Sequence, residues 1–210
     1  MEADFWKERW AEGKIGFHQG VANEYLVAHG ERLFGRVLVP LCGKTEDLAY
    51  LASRGHDVVG VELVEDAVAA FFAEHKLTPT VDEPWSDSTH RAYRAGVITL
   101  IAGDWFTATH EMLGTVNSVY DRAALVAMPP EMRVAYVAHL RKLVPRDTRG
   151  LLVTVAYDER QFEGPPFSIE NSEVRAHYAH VEQLEEHVIT TGRLGEANID
   201  AVERCYAITI

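Results

Sequence analysis

What this chain lacks narrows its function before any motif is read. Its 210 residues hold no uninterrupted apolar run near the roughly 18 needed to cross a bilayer, so no membrane partner is expected. The acidic, Trp-rich start MEADFWKERW has none of the features of a signal peptide, and a cytoplasmic protein is the expectation. Cysteine is scarce: Cys42 and Cys205 have no C-x-x-C spacing, which argues against a zinc site, a redox pair or a disulfide and leaves two small buried hydrophobes. Basic residues are in deficit, 20 Lys and Arg against 32 Asp and Glu, and a net charge of −12 excludes a phosphate-tracking surface and with it a nucleic-acid partner. Internal repeats, low-complexity tracts and an interdomain linker are all missing. What remains is one domain over residues 1–210, expected to be a monomer, with 47% apolar and 25% charged residues.

The most informative stretch runs from Arg36 to Leu63, RVLVPLCGKTEDLAYLASRGHDVVGVEL. Val37, Leu38 and Val39 form a short β-branched run suited to a buried strand, and Pro40 to Gly43 break it. From Thr45 to Arg54 the apolar residues Leu48, Ala49, Leu51 and Ala52 recur at helical spacing, and Gly55 stands where a helix ends. A second apolar run, Val58, Val59 and Val61, finishes on Glu62. This is a βαβ unit with an acid about 20 residues past the first turn, where a Rossmann-type sheet holds ribose hydroxyls. The plain alternative is that Glu62 caps a helix or faces solvent.

The turn indicates which nucleoside. A dinucleotide site needs G-x-G-x-x-G so that backbone and helix N-terminus can approach a pyrophosphate. Here Pro40-Leu41-Cys42-Gly43-Lys44 offers one glycine, and Glu46 and Asp47 in the first helical turn suit the helix dipole but oppose phosphate. Lys44-Thr45 lacks the rest of a P-loop. A cofactor with ribose and no phosphate fits, and S-adenosylmethionine is the common one.

The remaining chain supplies further strands near residues 98, 117 and 151, helices between most of them, and an Asn23–Leu33 helix ahead of the first strand. Trp6 and Trp10 share a face of a short N-terminal helix, which serves equally to staple that helix to the sheet or to cover a ligand. Leu77 to Gly96, with two prolines and scattered apolar residues, reads as a long loop. Gly103-Asp104-Trp105-Phe106 closes the strand near 98, and Asp121-Arg122 follows the strand near 117 at the sheet edge where open α/β sheets bind ligands. Met132, Tyr136, Leu140 and Leu143 form a helical stripe assigned to the core, and Ser168 to Tyr178 reads as a helix. Asp158 to Phe167 is a loop ending in GPPF, and Glu203 to Ile208 fits a closing strand. The expected fold is α/β, a mostly parallel, doubly wound sheet with helices on both faces and antiparallel strands in the last quarter.

Five segments in one order, FWKERW with GFHQ, then VPLCGK, RGHDVVGVEL, YDRAALVAM and GPPF, give the chain more than a fold class. In these it resembles the thiopurine S-methyltransferases, including their bacterial members; residues 187–200 match that family poorly. The resemblance implies a class I methyltransferase in which residues 1–20 cover the cofactor S-adenosyl-L-methionine, released as S-adenosyl-L-homocysteine. It assigns cofactor contacts to Trp10, Leu41, Glu62 and Arg122, with Asp104 and Trp105 placed against the adenine. Phe17, Arg122, Pro165 and Pro166 fall on the acceptor side. Arg122 is the one residue expected to act on the reaction, holding the nucleophile as an anion. His18, beside Phe17, reads as a packed histidine or a base. The implied acceptor is a small thiol or chalcogen compound, thiopurine-like, with selenium and tellurium species in metalloid detoxification as further candidates. Two rivals stand beside this reading: an NAD(P)-dependent Rossmann oxidoreductase, disfavoured by the turn, and a non-catalytic ligand-binding protein on the same fold.

Overall fold

The computed structural model of the chain describes residues 3–14, 18–85, 90–190 and 192–210; Phe17 lies outside them. Helix α1 (Ala3–Ala11) comes first, and α2 (Glu24–His29) begins at Asn23, whose side chain accepts the Tyr25 N–H, before a 3-10 turn at Gly30–Arg32. The predicted βαβ unit follows as β1 (Arg36–Pro40), α3 (Glu46–Ser53) and β2 (Asp57–Glu62), with Thr45 capping α3 by accepting the Asp47 N–H. Then come α4 (Glu65–Glu74), β3 (Thr80–Val81), β4 (Arg91–Ala95) and β5 (Ile98–Ala102). Helix α5 (His110–Leu113), β6 (Ser118–Asp121), α6 (Pro130–Leu143) and β7 (Arg149–Tyr157) precede α7 (Asn171–His177), β8 (His180–Val188), α8 (Gly192–Glu196) and β9 (Ala201–Thr209).

The strands form one sheet in the order β3-β4-β5-β2-β1-β6-β7-β9-β8. Its middle five, β5, β2, β1, β6 and β7, are parallel, as near-continuous apolar runs require when both faces are covered. One face buries Leu26, Leu48, Leu51, Phe71 and Phe72 from α2, α3 and α4, and the other buries Met112, Tyr136, Leu140 and Val174 from α5, α6 and α7. At one end β9 runs antiparallel to β7 and β8, as expected for the last quarter.

The other end corrects the sequence reading. The segment assigned to a loop, Leu77–Gly96, contains β3 and β4, and β4 adds antiparallel to β5. Only Ala92 of β4 is fully buried, and Arg91 and Arg94 mask the strand pattern; they hold place through Glu65 and Asp82, while Tyr93 stacks on Phe72. Both cysteines are buried and unpaired, and burial pushes the Cys205 thiol up to about 12.

Candidate active site

The carboxyl ends of the five parallel strands, with α1 on one side and the segments after β7 on the other, enclose a cavity of about 460 Å³. That is the size of a small-molecule site, and an open parallel sheet puts such a site at this edge. Trp10, Leu41, Glu62, Asp104, Trp105, Arg122, Pro165 and Pro166, every described residue named as a site candidate, line this one cavity.

Its nucleoside end is built by the first βαβ unit. Leu41, just past β1, has φ +48°, a left-handed conformation that costs a branched residue of order 1–3 kcal/mol and tends to be kept where a ligand needs the backbone shaped. Gly43, at φ +54°, comes so close to Trp10 that a Cβ there would sit 3.2 Å from the indole. The Gly43 N–H donates to Glu62 Oε2 and the Val64 N–H to Oε1, each at 2.8 Å. Burial pushes the Glu62 carboxyl up, and these backbone donors pull it back. Each oxygen keeps a lone pair for a hydroxyl. A turn amide that a dinucleotide site would aim at phosphate is here bonded to the protein's own carboxylate. The residues thus fit a ribose without phosphate, the cosubstrate anticipated above, better than NAD(P).

Beyond the ribose position, β5 ends at Gly103, where φ is +156° and a Cβ would lie 2.1 Å from the His90 ring. His90 Nε2 bonds the Asp104 carbonyl at 2.9 Å, which fixes this loop. The Asp104 side chain, exposed, accepts the Phe106 N–H at 3.0 Å and caps the short turn that carries Trp105. Trp105 is buried against Tyr136 and His139, with a face to the cavity. The polar edge and apolar wall are the two surfaces an adenine needs.

The opposite end is assembled from distant segments. Arg122 donates from Nε to Asp47 Oδ2 at 3.1 Å, and its side chain is 12% exposed against 1% for Asp47. Asp47 also accepts the Tyr120 hydroxyl at 3.1 Å and the Asn23 N–H at 2.7 Å. The carboxylate read in the sequence as a helix-dipole residue is therefore the anchor of Arg122, leaving the terminal guanidinium nitrogens to the cavity. No sequence signal separates this Asp from its neighbour Glu46. Next to Arg122, Asp121 is buried and accepts the Ala124 and Leu125 N–H groups and the Tyr136 hydroxyl; burial raises it to about 6.

Two further loops close this end. Gly164-Pro165 and Pro165-Pro166 are both cis, Tyr157 Oη donates to the Pro166 carbonyl at 2.6 Å, and the Phe167 N–H reaches the Val126 carbonyl at 2.7 Å. Arg133, almost wholly buried, bonds Glu173 through both carboxylate oxygens, the Met128 carbonyl and the Ser168 carbonyl, tying the proline loop to the segment after β6. His18 lines the cavity, and burial with Lys44 beside it holds its imidazole below the usual range. The lining residues that the sequence reading missed include Met132, assigned to the core, then Ile189 and Leu194 from the stretch of poor family resemblance, and Glu203 on β9. A residue on a core stripe whose helix reaches the cavity looks no different from its buried neighbours.

Comparison with known proteins agrees with this geometry. The family model described as Thiopurine S-methyltransferase (TPMT) matches residues 1–205. A Pseudomonas paraeruginosa protein named Thiopurine S-methyltransferase is 49% identical over 192 residues, covering 88% of this chain and 87% of that one. A protein of the same name from Azotobacter vinelandii is 48% identical over 179 residues, 83% of this chain and 81% of that one. Among solved structures, magnesium protoporphyrin IX methyltransferase from Synechocystis with bound SAH superposes with TM-score 0.64 at 15% identity, covering 99% of both chains. The Burkholderia thailandensis 1,6-didemethyltoxoflavin-N1-methyltransferase, also with S-adenosylhomocysteine bound, gives 0.62 at 17%, covering 99% of this chain and 87% of that one. At those identities the structures speak for the fold.

Proposed function

Because the chain belongs to the thiopurine S-methyltransferase family, and so is an S-adenosylmethionine-dependent methyltransferase, we propose that it methylates the sulfur of an aromatic or heterocyclic thiol. The observation that carries this is the two-ended cavity, with a fixed carboxylate suited to ribose at Glu62 and an anchored guanidinium at Arg122. When bound, S-adenosylmethionine supplies an electrophilic sulfonium methyl. Glu62 holds the ribose, Leu41 and Trp10 pack on the cosubstrate, and Asp104 with Trp105 receives the adenine. Arg122 lies where donor and acceptor meet and stabilises negative charge on the acceptor sulfur. Pro165 and Pro166 wall the acceptor, and α1 covers the site. Positioning and charge stabilisation supply most of the rate for so soft a nucleophile. Reduced selenium or tellurium species are acceptors of the same electronic kind. The enzyme acts as a cytoplasmic monomer on small molecules.

The test is transfer of a labelled methyl from S-adenosylmethionine to 6-mercaptopurine by the purified protein, with a no-acceptor control. S-methylated product supports the proposal; cosubstrate binding without methylation of any thiol contradicts it.

A further inference from the structure

Arg122 has a second carboxylate near it. Glu203 lies on β9 opposite Val155 of β7, and Glu203, Val155 and Arg122 all line the cavity on the acceptor side. Tyr25 Oη donates to the Glu203 backbone carbonyl at 3.2 Å, and among the described residues no donor bonds its carboxylate. Half-removed from water and without a described hydrogen bond, this carboxylate faces the ligand cavity with its lone pairs open. Asp47 already balances the Arg122 charge, so Glu203 adds an unpaired negative charge beside it. Such a site is poorly suited to drawing in a preformed anion, but it can accept a proton.

We propose that Glu203 is the proton acceptor for neutral thiols, so that the enzyme deprotonates its acceptor in place. This rests on the thiol reading above. The S–H bond breaks and its proton passes to a Glu203 carboxylate oxygen. The sulfur keeps the electron pair, stabilised by Arg122, and attacks the methyl carbon in line; the pair of the broken carbon–sulfur bond leaves with the donor's sulfur. Glu203 then gives its proton to solvent. The charged groups around it are Arg122 from the β6 loop, Glu24 on α2 and His187 on β8, the last two paired at 3.3 Å. Burial raises the Glu203 carboxyl above the usual carboxylate range, with Glu24 adding to this and Arg122 and His187 opposing it, which makes it the stronger base.

The experiment compares wild type and Glu203→Gln on two thiols of similar shape, one ionised at neutral pH and one with a pKa well above it. In the variant, the ratio of kcat/KM for the neutral thiol to that for the ionised thiol should fall roughly tenfold or more. Wild-type kcat/KM for the neutral thiol should level off above the Glu203 pKa; without an enzyme base it would climb about tenfold per pH unit up to the thiol's own pKa. Ultraviolet difference spectra add a reading independent of turnover. With the neutral thiol bound beside S-adenosylhomocysteine, the thiolate band should be weaker in Glu203→Gln than in wild type. An unchanged ratio, or a wild-type profile that never levels, overturns the proposal even where the variant folds poorly. Failure of wild type to methylate either thiol would instead overturn the reading beneath it.

Discussion

The two ends of the cavity are made in opposite ways. The ribose seat comes from 28 contiguous residues, Arg36 to Leu63, in which the turn, the helix cap and Glu62 satisfy one another through short-range bonds. The acceptor end draws Asp47, Arg122, Pro166 and Glu203 from four separate regions, and its hydrogen bonds span 75 residues from Arg122 to Asp47 and 178 from Tyr25 to Glu203. A local site keeps its geometry as long as its own unit folds. A site of distant parts depends on the whole sheet, and it can change its acceptor by changing one loop.

That contrast can be broken most forcefully at Asp47. Asp47→Ala leaves Arg122 buried without its partner and the Tyr120 hydroxyl and Asn23 N–H unpaired, so unfolding free energy in urea should drop by about 3–5 kcal/mol. A drop below about 1 kcal/mol would mean that the acceptor end does not depend on this anchor. Next in size is Glu62→Ala. With the carboxylate proposed to hold the ribose through two charge-assisted hydrogen bonds removed, S-adenosylhomocysteine binding should weaken by about 3 kcal/mol, more than a hundredfold by calorimetry.

Asp121 gives a pH signature of the acceptor end. Its folded-state pKa of about 6 exceeds the unfolded value of 3.8, so the folded protein binds the extra proton between those values. The stability this contributes is present below pH 4 and is lost as pH rises to 6, by about 3 kcal/mol at most. Asp121→Asn should flatten that part of the curve of melting temperature against pH, and an identical slope in the variant would assign the effect elsewhere. The smallest effect belongs to Tyr120→Phe, which removes one of three donors to Asp47 and should cost about 1 kcal/mol of stability, with Arg122 still held.

The same contrast explains what the sequence could disclose. Strand periods, the helical spacing that begins at Thr45, and Glu62 at the end of β2 were legible because each is encoded within a few residues of itself. The parallel middle of the sheet followed from β-branched runs with helices between them. β4 escaped because a strand with one fully buried residue and two arginines carries little period-2 signal, and only its partner β5 makes it a strand. Asp47 was visible as an acid and invisible as an anchor, since its meaning lies in Arg122, 75 residues on. Glu203 sits in a strand that was read correctly, but which way its side chain faces depends on register against β7. Met132 shows the same limit: a helical stripe tells which face is inside, not where the inside opens into a cavity.

The division of labour between the two ends is tested most directly by titrating S-adenosylhomocysteine into Glu62→Ala and Arg122→Ala side by side while measuring turnover of both. Glu62→Ala should lose affinity at least a hundredfold, about 3 kcal/mol, while Arg122→Ala should lose less than about tenfold in affinity and far more in kcat. Equal losses of affinity in the two variants, with kcat of Arg122→Ala unchanged, would contradict that division.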